Sequence, residues 1–372
     1  MARIDLAPLT QWITAAAVQQ GGPPGGGLPA HLMQRLSVSR RRAGTLLKKL
    51  EAMQWLVSEG TPRRRLHRPG PLRQVVQRYA LEGLQEDLPW RRDFAPFFDL
   101  PAEVRRMAQH AYTELLNNAV DHSGGTAVTV SMRQTPLQLQ LLVSDDGCGV
   151  FDRIAQSFGI DEPTVAMLEL SKGKLTSLPD RHSGHGLFFT SRLADVFDIH
   201  ANAASFQCRS WESRAWRAGR PVSRTGSSIY LGIQLDTPRT LDAVLRAHSR
   251  DEAGYGFDRT RVPLHLIGSG NVALASRADA KRVAARLPEF RRAEIDFDGI
   301  REIGHGFADE LFRVFRRDHP ALELVPVGMR EVGTPSVGLY NRAFSRLKRL
   351  LEETEAEYVG PDGVWYPLTT TI

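Results

Sequence analysis

The chain has 372 residues, of which 42% are hydrophobic and 24% are charged, and its formal net charge is +6. This length predicts two or three domains with the composition of an ordinary globular protein. No stretch approaches the apolar length of a membrane span, and two cysteines are too few for a disulfide framework or a Cys-rich metal site. The N-terminus lacks the apolar core of a signal peptide, so we expect a reducing, cytoplasmic setting and no membrane. The positive charge favours an anionic partner.

The N-terminal part of the chain carries helical patterns followed by a basic hairpin. The expected elements are helices over 6–18, 28–36 and 40–53 and strands over 55–59 and 63–68. A loop rich in Gly and Pro separates the first two helices, and a serine N-cap precedes the third. From residue 35 to residue 78 the chain has twelve Lys or Arg against two acids. A further helix over 73–85 is expected to lead into the next domain.

Helix, turn, arginine-rich helix and basic hairpin resemble a winged helix-turn-helix DNA-binding domain, here over 1–75. The resemblance implies contact with the phosphates of double-stranded DNA, because cations there meet the backbone. The arginines concerned are Arg40, Arg41, Arg42, Arg63, Arg64 and Arg65. Three adjacent arginines on a hairpin favour phosphate contact over base reading. Two alternatives stay open, since winged helices also serve as protein-contact modules and charge runs are often simply solvated.

The most informative stretch is Thr113–Ser123, with the sequence TELLNNAVDHS. Its apolar residues recur at helical spacing and predict one buried face. Glu114 and Asn118 are four residues apart and therefore share a side of the helix, and Asp121 and His122 lie about one turn further along. Such a helix either contributes a hydrogen-bonded core network or forms a polar site.

Two later motifs bear on this choice. A predicted strand over 137–143 ends in Asp145-Asp-Gly-Cys-Gly, and Ser-Gly-His-Gly-Leu over 183–187 opens another helical pattern. A helix with E-x-x-x-N-A-x-x-H, a strand with D-x-G-x-G and a helix start with G-x-G-L occur here in that order. Together they resemble the N, G1 and G2 boxes of the GHKL ATPases, which include gyrase-type topoisomerases, sensor histidine kinases and anti-sigma-factor kinases. The resemblance implies a Bergerat-type α/β sandwich over 76–236 that binds ATP and Mg²⁺.

The resemblance also assigns roles to single residues. Glu114 matches the general base, and Asn118 matches the ligand that offers an amide oxygen to Mg²⁺. Asp121 holds the place of a further acid near the site, and His122 matches a histidine whose role is to pin the loop. Asp145 matches the aspartate that accepts the exocyclic amine of adenine, a choice that suits a group able only to accept hydrogen bonds.

The remaining implied contacts concern the phosphates and the back of the base pocket. They involve Gly147, Gly149, Gly184, His185, Gly186, Leu187 and Ser227. Glycines at these places permit close backbone approach, and a helix start favours phosphate. The residues 150–183, expected to be irregular and polar, are termed the lid segment below. Lys172 or Lys174 could reach phosphate from it, with a solvated lysine pair as the alternative, and Ser228 is the alternative to Ser227.

The C-terminal part alternates strands and helices. Strands are expected over 262–267, 294–298 and 322–327, and helices over 276–287, 303–315 and 337–350. An acid-x-acid-Gly turn followed by I-G-x-x-F-A-D-E resembles STAS-like domains of unknown function, here over 257–372. Phosphorylated STAS proteins carry Ser or Thr where this chain has Gly304-His-Gly, which speaks against a built-in kinase substrate. Asp309 and Glu310 either bind a protein partner or serve the helix dipole.

The sequence therefore predicts an α+β multidomain protein with a winged helix, a GHKL sandwich and a small STAS-like α/β domain. We expect an ATPase that couples nucleotide state to the binding of DNA or a protein partner, for instance in transcription regulation. Two other functions stay open: a serine/threonine protein kinase of the anti-sigma type acting on a separate protein, and a nucleotide-binding scaffold without turnover. Histidine autophosphorylation is not expected, because residues 1–75 occupy the place of the phosphoacceptor hairpin. A homodimer is left open.

Overall fold

The computed structural model describes residues 6–19, 27–61, 64–176, 184–212, 216–220, 224–249, 256–268, 274–300, 303–329, 357–359 and 365–367. The chain divides into two units. The first comprises 1–149, 193–202 and 224–240, and the second comprises 150–192, 203–223 and 241–372. None of the described helices combines the length and the apolar character needed to cross a membrane.

The first unit begins with three helices and a hairpin. They are α1 (Ala7–Val18), α2 (Gly27–Leu36), α3 (Arg40–Ala52), β1 (Leu56–Thr61) and β2 (Arg64–Pro69). Apolar residues recur every three or four positions on each helix, and they meet Trp55 and Leu56 in one buried cluster. Ser39 caps α3, since its Oγ accepts a hydrogen bond of 3.4 Å from the Arg42 amide. β1 and β2 pair antiparallel from Leu56↔Pro69 to Thr61↔Arg64.

The rest of the first unit is an antiparallel sheet covered by a long helix. Its elements are β3 (Arg73–Ala80), α4 (Asp87–Pro89), α5 (Ala102–His122), β4 (Ala127–Gln134), β5 (Gln138–Asp145), β6 (Val196–Ala201) and β9 (Ser227–Gln234). The strands lie in the order β3-β4-β5-β9-β6. Alternate residues such as Val130, Leu141, Leu231 and Phe197 are almost fully buried, as a half-covered sheet requires. The predicted α+β class with a helix-covered sheet is confirmed.

The strand β3 corrects the sequence analysis, which predicts a helix over 73–85. Arg73–Ala80 pairs with β4 along its whole length. Two β-branched residues, Val75 and Val76, and Tyr79 suit a pleated surface, and the neighbouring strand supplies the backbone partners. The domain boundary expected between residues 75 and 76 thus falls inside a strand.

The second unit holds the lid segment and the C-terminal elements. They are α6 (Val150–Phe158), α7 (Pro163–Lys172), α8 (Gly186–Leu193), β7 (Ala204–Arg209), β8 (Trp216–Ala218), α9 (Leu241–Arg246), β10 (Arg259–Pro263), α10 (Arg277–Ala284), β11 (Arg292–Asp296), α11 (His305–Asp309), α12 (Arg316–Asp318), β12 (Glu323–Val327), β13 (Glu357–Val359) and β14 (Trp365–Pro367). The lid segment was expected to be irregular, but it contains α6 and α7. The predicted helix over 337–350 lies outside the described residues.

The C-terminal strands confirm the predicted alternation, but the strand expected over 262–267 lies earlier, because β10 is Arg259–Pro263 and Leu264–Leu266 form a short 3-10 helix. β10, β11 and β12 are adjacent and parallel, β13 continues the sheet, and β14 pairs antiparallel with β13. Parallel neighbours need a crossover, and helix α10 connects β10 to β11. Its start carries a capping box, in which Ser276 and Asp279 bond each other's backbone amides.

Candidate functional site

The helix α5 carries the polar residues that the sequence singles out. Its apolar side, including Met107, Ala111 and Leu115, is buried. Glu114 and Asn118 are half-buried. The Asn118 Nδ2 atom is buried and forms no hydrogen bond with any residue that the structure describes. A buried polar group without a partner is costly, so this amide is suited to a ligand.

His110 lies one turn before Glu114, and the sequence analysis overlooked it. Its Nε2 atom is buried and has no partner among the described residues. Burial lowers the pKa of His110, and the nearby charge of Glu114 opposes that shift. The spacing of four residues could have revealed the pair, because such residues share a helix face.

The last turn of α5 meets the glycine loop that follows β5. The Cys148 amide donates a hydrogen bond of 2.9 Å to the Ser123 carbonyl oxygen. A Cβ atom at Gly147 would lie 2.3 Å from that oxygen, so no other residue fits there without a shift of the backbone. The last turn of α5 and the glycine loop are therefore in direct contact. Asp121 and His122, in the same last turn, are half-buried.

Asp145 ends β5 on the face of the sheet that α5 covers, and only 7% of its surface is exposed. Its Oδ1 accepts hydrogen bonds from the amides of Gly147, at 3.0 Å, and Ser227, at 3.1 Å. Within the described part of the chain, Oδ2 accepts no hydrogen bond. The carboxylate is thus fixed in orientation through one oxygen, and the other is available to a donor.

The neighbouring acid, Asp146, has a different task. It accepts hydrogen bonds from the Thr126 amide at 2.7 Å, the Thr126 hydroxyl at 2.8 Å and the Ala127 amide at 2.9 Å. These donors, with Ala127 first, lower the pKa of Asp146 to about 2. Asp146 therefore secures the start of β4.

Asn202 fastens the glycine loop from the other side, and nothing in the sequence pointed to it. Its Nδ2 donates to the Cys148 carbonyl at 2.7 Å, and its Oδ1 accepts from the Gly226 amide at 3.1 Å. Gly149 has φ +88°, and a Cβ atom there would lie 2.7 Å from Asn202 Nδ2. One amide side chain thus joins the loop after β5 to the entry of β9.

The serines of β9 support this edge of the sheet. Ser227 contributes its backbone amide to Asp145, and Ser228 donates its hydroxyl hydrogen to Ser144 Oγ at 2.9 Å. Arg224 donates to Ser228 Oγ at 2.6 Å and to the Asp145 carbonyl at 3.3 Å. Both candidate serines therefore lie beside the aspartate.

Two parts of the chain match known domain families. Residues 81–207 match the model of the histidine kinase-like ATPase domain, and residues 279–332 match the STAS-like domain of unknown function, DUF4325. The first match spans α5, the glycine loop and the later glycines of the G2 motif. The chain contains a histidine kinase-like ATPase domain. Its C-terminal part contains a STAS-like domain. None of the curated proteins compared with the chain matches it.

The ATPase domain continues in the second unit with its G2 motif. Gly184 has φ +68°, and Gly186 begins α8. The ring of His185 packs edge-on against Phe257 with a centroid distance of 4.8 Å. Burial, followed by the charge of Lys174, lowers the pKa of His185. Leu187 is half-buried in the first turn of α8.

The two lysines of the ATPase domain's lid segment are not a solvated pair. Lys172 is fully buried, and its Nζ donates to Glu169 Oε1 at 2.5 Å. Lys174 donates to the Glu289 carbonyl at 2.5 Å, and its ammonium lies 4.5 Å from the centre of the Phe290 ring. In this arrangement both ammonium groups serve contacts within the second unit.

The basic residues of the first unit are placed as follows. Arg40, Arg41 and Arg42 are exposed in the first turn of α3, and Arg65 is exposed on β2. Arg64 belongs to β2, and Arg63 lies outside the described residues. In the STAS-like domain, Asp309 pairs with Arg313 at 2.6 Å, and Glu310 lies 3.8 Å from Lys281. These two acids thus pair within their own domain.

Proposed function

We propose that this protein binds Mg·ATP in its histidine kinase-like ATPase domain, hydrolyses it slowly and uses the nucleotide state to control binding to DNA. The observation that carries the proposal is the buried carboxylate of Asp145. It is held through Oδ1 by two backbone amides, and its Oδ2 accepts no hydrogen bond within the described part of the chain. A carboxylate accepts hydrogen bonds only, so it favours the amino group of adenine over the carbonyl oxygen of guanine.

The residues of α5 fit a magnesium nucleotide. The partnerless amide of Asn118 can turn its oxygen outward, and Mg²⁺ prefers oxygen ligands while keeping several waters and phosphate oxygens. Bound Mg²⁺ supplies charge neutralisation at the transferring phosphate. Glu114 lies one turn earlier and takes a proton from the attacking water as general base. His110 lies one turn before Glu114, and its imidazole interacts electrostatically with that carboxylate.

Control of DNA is the less direct part of the proposal. The three arginines at the start of α3 lie at the positive end of the helix dipole, and that turn contains no acid. Cations are unfavourable at this end, so the arrangement suits a site where phosphates offset the repulsion. Three helices followed by a two-stranded hairpin are also the element order of a winged helix-turn-helix domain. The two cysteines, Cys148 and Cys208, form no disulfide, which suits the cytoplasmic setting proposed here.

One experiment separates this function from its nearest competitor, a protein kinase acting on a separate substrate. The full chain is incubated with ATP labelled at the γ-phosphate, with and without duplex DNA. We expect free labelled phosphate, and a rate that changes when DNA is added. Label transferred to an added protein would favour the kinase, whereas ATP binding without any released or transferred label would favour a scaffold.

A further inference from the structure

The helix α7 of the lid segment has no solvent-exposed side over most of its length. All residues from Ala166 to Lys172 are buried, including the charged side chains of Glu169 and Lys172. A helix on a protein surface normally alternates a buried stripe with a polar, exposed one. Seven consecutive buried residues indicate instead a helix that is enclosed by its surroundings.

The partners of these buried charges come from the C-terminal part of the chain. Lys172 Nζ bonds Glu169 Oε1 at 2.5 Å and the Ala285 carbonyl at 2.9 Å. Arg286 donates to Glu169 Oε2 at 3.3 Å and to the Gly173 carbonyl at 2.9 Å. The Thr260 hydroxyl on β10 donates to the Lys172 carbonyl at 2.8 Å. The end of α7 is thereby tied to β10 and to the turn after α10.

The backbone of Arg286 indicates independently that its contacts with α7 fix this residue in place. This residue has φ +62° and ψ 0°, in the left-handed region that favours glycine. A non-glycine residue held there is over-determined by its surroundings. The contacts of the guanidinium group explain why arginine occupies this strained position, since the group bridges Glu169, the Gly173 carbonyl and Glu289 at once. Arginine has the planar fork of donors that such bridging needs, whereas lysine does not.

We propose that Arg286 and the buried Glu169–Lys172 pair fasten the ATP lid segment to the STAS-like part of the chain, so that this part sets nucleotide affinity. The inference rests on the proposed function, because the residue after Lys174 packs against the G2 motif: a Cβ atom at Gly184 would lie 2.6 Å from the Leu175 amide nitrogen. A change of the turn after α10 that moves α7 therefore also moves this contact with the G2 motif. By linkage, nucleotide binding must in turn stabilise the contact between α7 and the turn.

The test compares two variants of the full chain. Arg286→Gly removes the guanidinium but keeps the left-handed backbone free of strain. Lys281→Ala, the matched control, removes another cation of α10, one that is paired at 3.8 Å with Glu310 and not with α7. We expect Arg286→Gly to raise the hydrogen-exchange rates of α7 amides about tenfold without nucleotide, and to weaken ATP binding by about 5-fold or more. Lys281→Ala is expected to change neither measurement by more than about twofold.

Each result decides a separate point. Unchanged exchange of α7 in Arg286→Gly would overturn the fastening, and faster exchange with unchanged ATP affinity would overturn the control of affinity. A parent protein that binds no ATP would overturn the proposed function, while the exchange measurement still decides the fastening. Should Arg286→Gly not fold, the double variant Glu169→Gln with Lys172→Met removes both buried charges and keeps their volume. Parent-like ATP affinity in the folded double variant would also contradict the proposal.

Discussion

At the scale of single residues, the polar groups around the glycine loop fall into two sets. Asp146, Asn202 and Ser123 form hydrogen bonds that hold the loop to its neighbours. Asn118 and His110 each bury a nitrogen that meets no partner in the described part of the chain. The first set holds the loop in its shape, and the buried nitrogens of the second set, which are costly without a partner, support the proposed nucleotide site.

Replacing Asp145 by Asn tests the base pocket. The amide can still accept from Gly147 and Ser227 through its oxygen, but it presents a donor to the adenine amino group. Hydrogen bonds to charged groups are the stronger kind, so we expect ATP to bind about 10- to 100-fold more weakly. Calorimetry with ATP and GTP measures the change, and GTP serves as the internal control because its affinity is not expected to fall. Parent-like preference for ATP would remove Asp145 from the pocket.

Replacing Glu114 by Gln tests the general base. The variant keeps the volume and half-buried position of the side chain, so nucleotide affinity is expected to stay within about twofold. Phosphate release should fall by about 10²- to 10⁴-fold, the usual contribution of a positioned base. His110→Asn is expected to lower the rate less and to shift its pH dependence, because it acts through Glu114. Full activity of Glu114→Gln would assign the base to another residue.

Some of these residues could be predicted from the sequence and others could not. Glu114, Asn118 and Asp145 belong to spaced motifs and could be named from the sequence, whereas the contact between Ser123 and the glycine loop was not predicted. Asn202 was out of reach, because its role depends on a turn that brings two distant loops together. Nothing in the local pattern around it distinguishes a clamp from an ordinary turn asparagine.

At the scale of elements, the errors share one cause, which is tertiary contact overriding local pattern. Arg73–Ala80 is a strand because β4 offers a partner along its full length. The stretch over 163–172 looked polar because of its charged residues, yet Glu169 and Lys172 neutralise each other inside the fold. Elements whose apolar spacing was strong, such as α1, α2 and α3, were predicted within one residue of their ends.

The tie between β4 and the loop after β5 predicts how stability depends on acid. The pKa of Asp146 is lowered from 3.8 to about 2 in the folded protein, so its stabilising effect is present above about pH 4. That effect is lost as pH falls from about 4 to about 2. Asp146→Asn should therefore lower the free energy of unfolding at pH 7. It should also reduce the fall of that free energy between about pH 4 and about pH 2, as measured by urea unfolding at a series of pH values. The exposed Asp161→Asn serves as the control, and an unchanged fall in Asp146→Asn would contradict the assignment.

At the scale of the whole molecule, the arginines of different parts of the chain have different surroundings. Three exposed arginines are gathered in the first turn of α3, and in the STAS-like domain Arg313 pairs with Asp309. The motif order was sufficient to predict an ATPase-like sheet followed by a parallel α/β part. Which segments belong together was not predictable, because the enclosure of α7 depends on residues more than a hundred positions later.

The proposed DNA contact predicts a specific salt response. Replacing Arg40, Arg41 and Arg42 by Gln should weaken binding to duplexes of any sequence, because phosphate contacts carry no base information. The slope of log K against log salt is negative, and each lost contact reduces its magnitude by about 0.9. We therefore expect the magnitude to fall by about 2 to 3. Fluorescence anisotropy at several salt concentrations measures the slope. The same replacement of Arg277, Arg282 and Arg313 is the control, and a parent with no salt dependence would refute the DNA contact.

The enclosure of α7 has a practical consequence for dividing this protein into fragments. A fragment ending near residue 236 keeps α7 but discards β10 and α10, so the buried Lys172 loses its Ala285 and Thr260 partners. Such a fragment is expected to aggregate on expression, whatever the quality of its nucleotide site. Work on isolated ATPase activity should therefore start from a fragment that continues through β12.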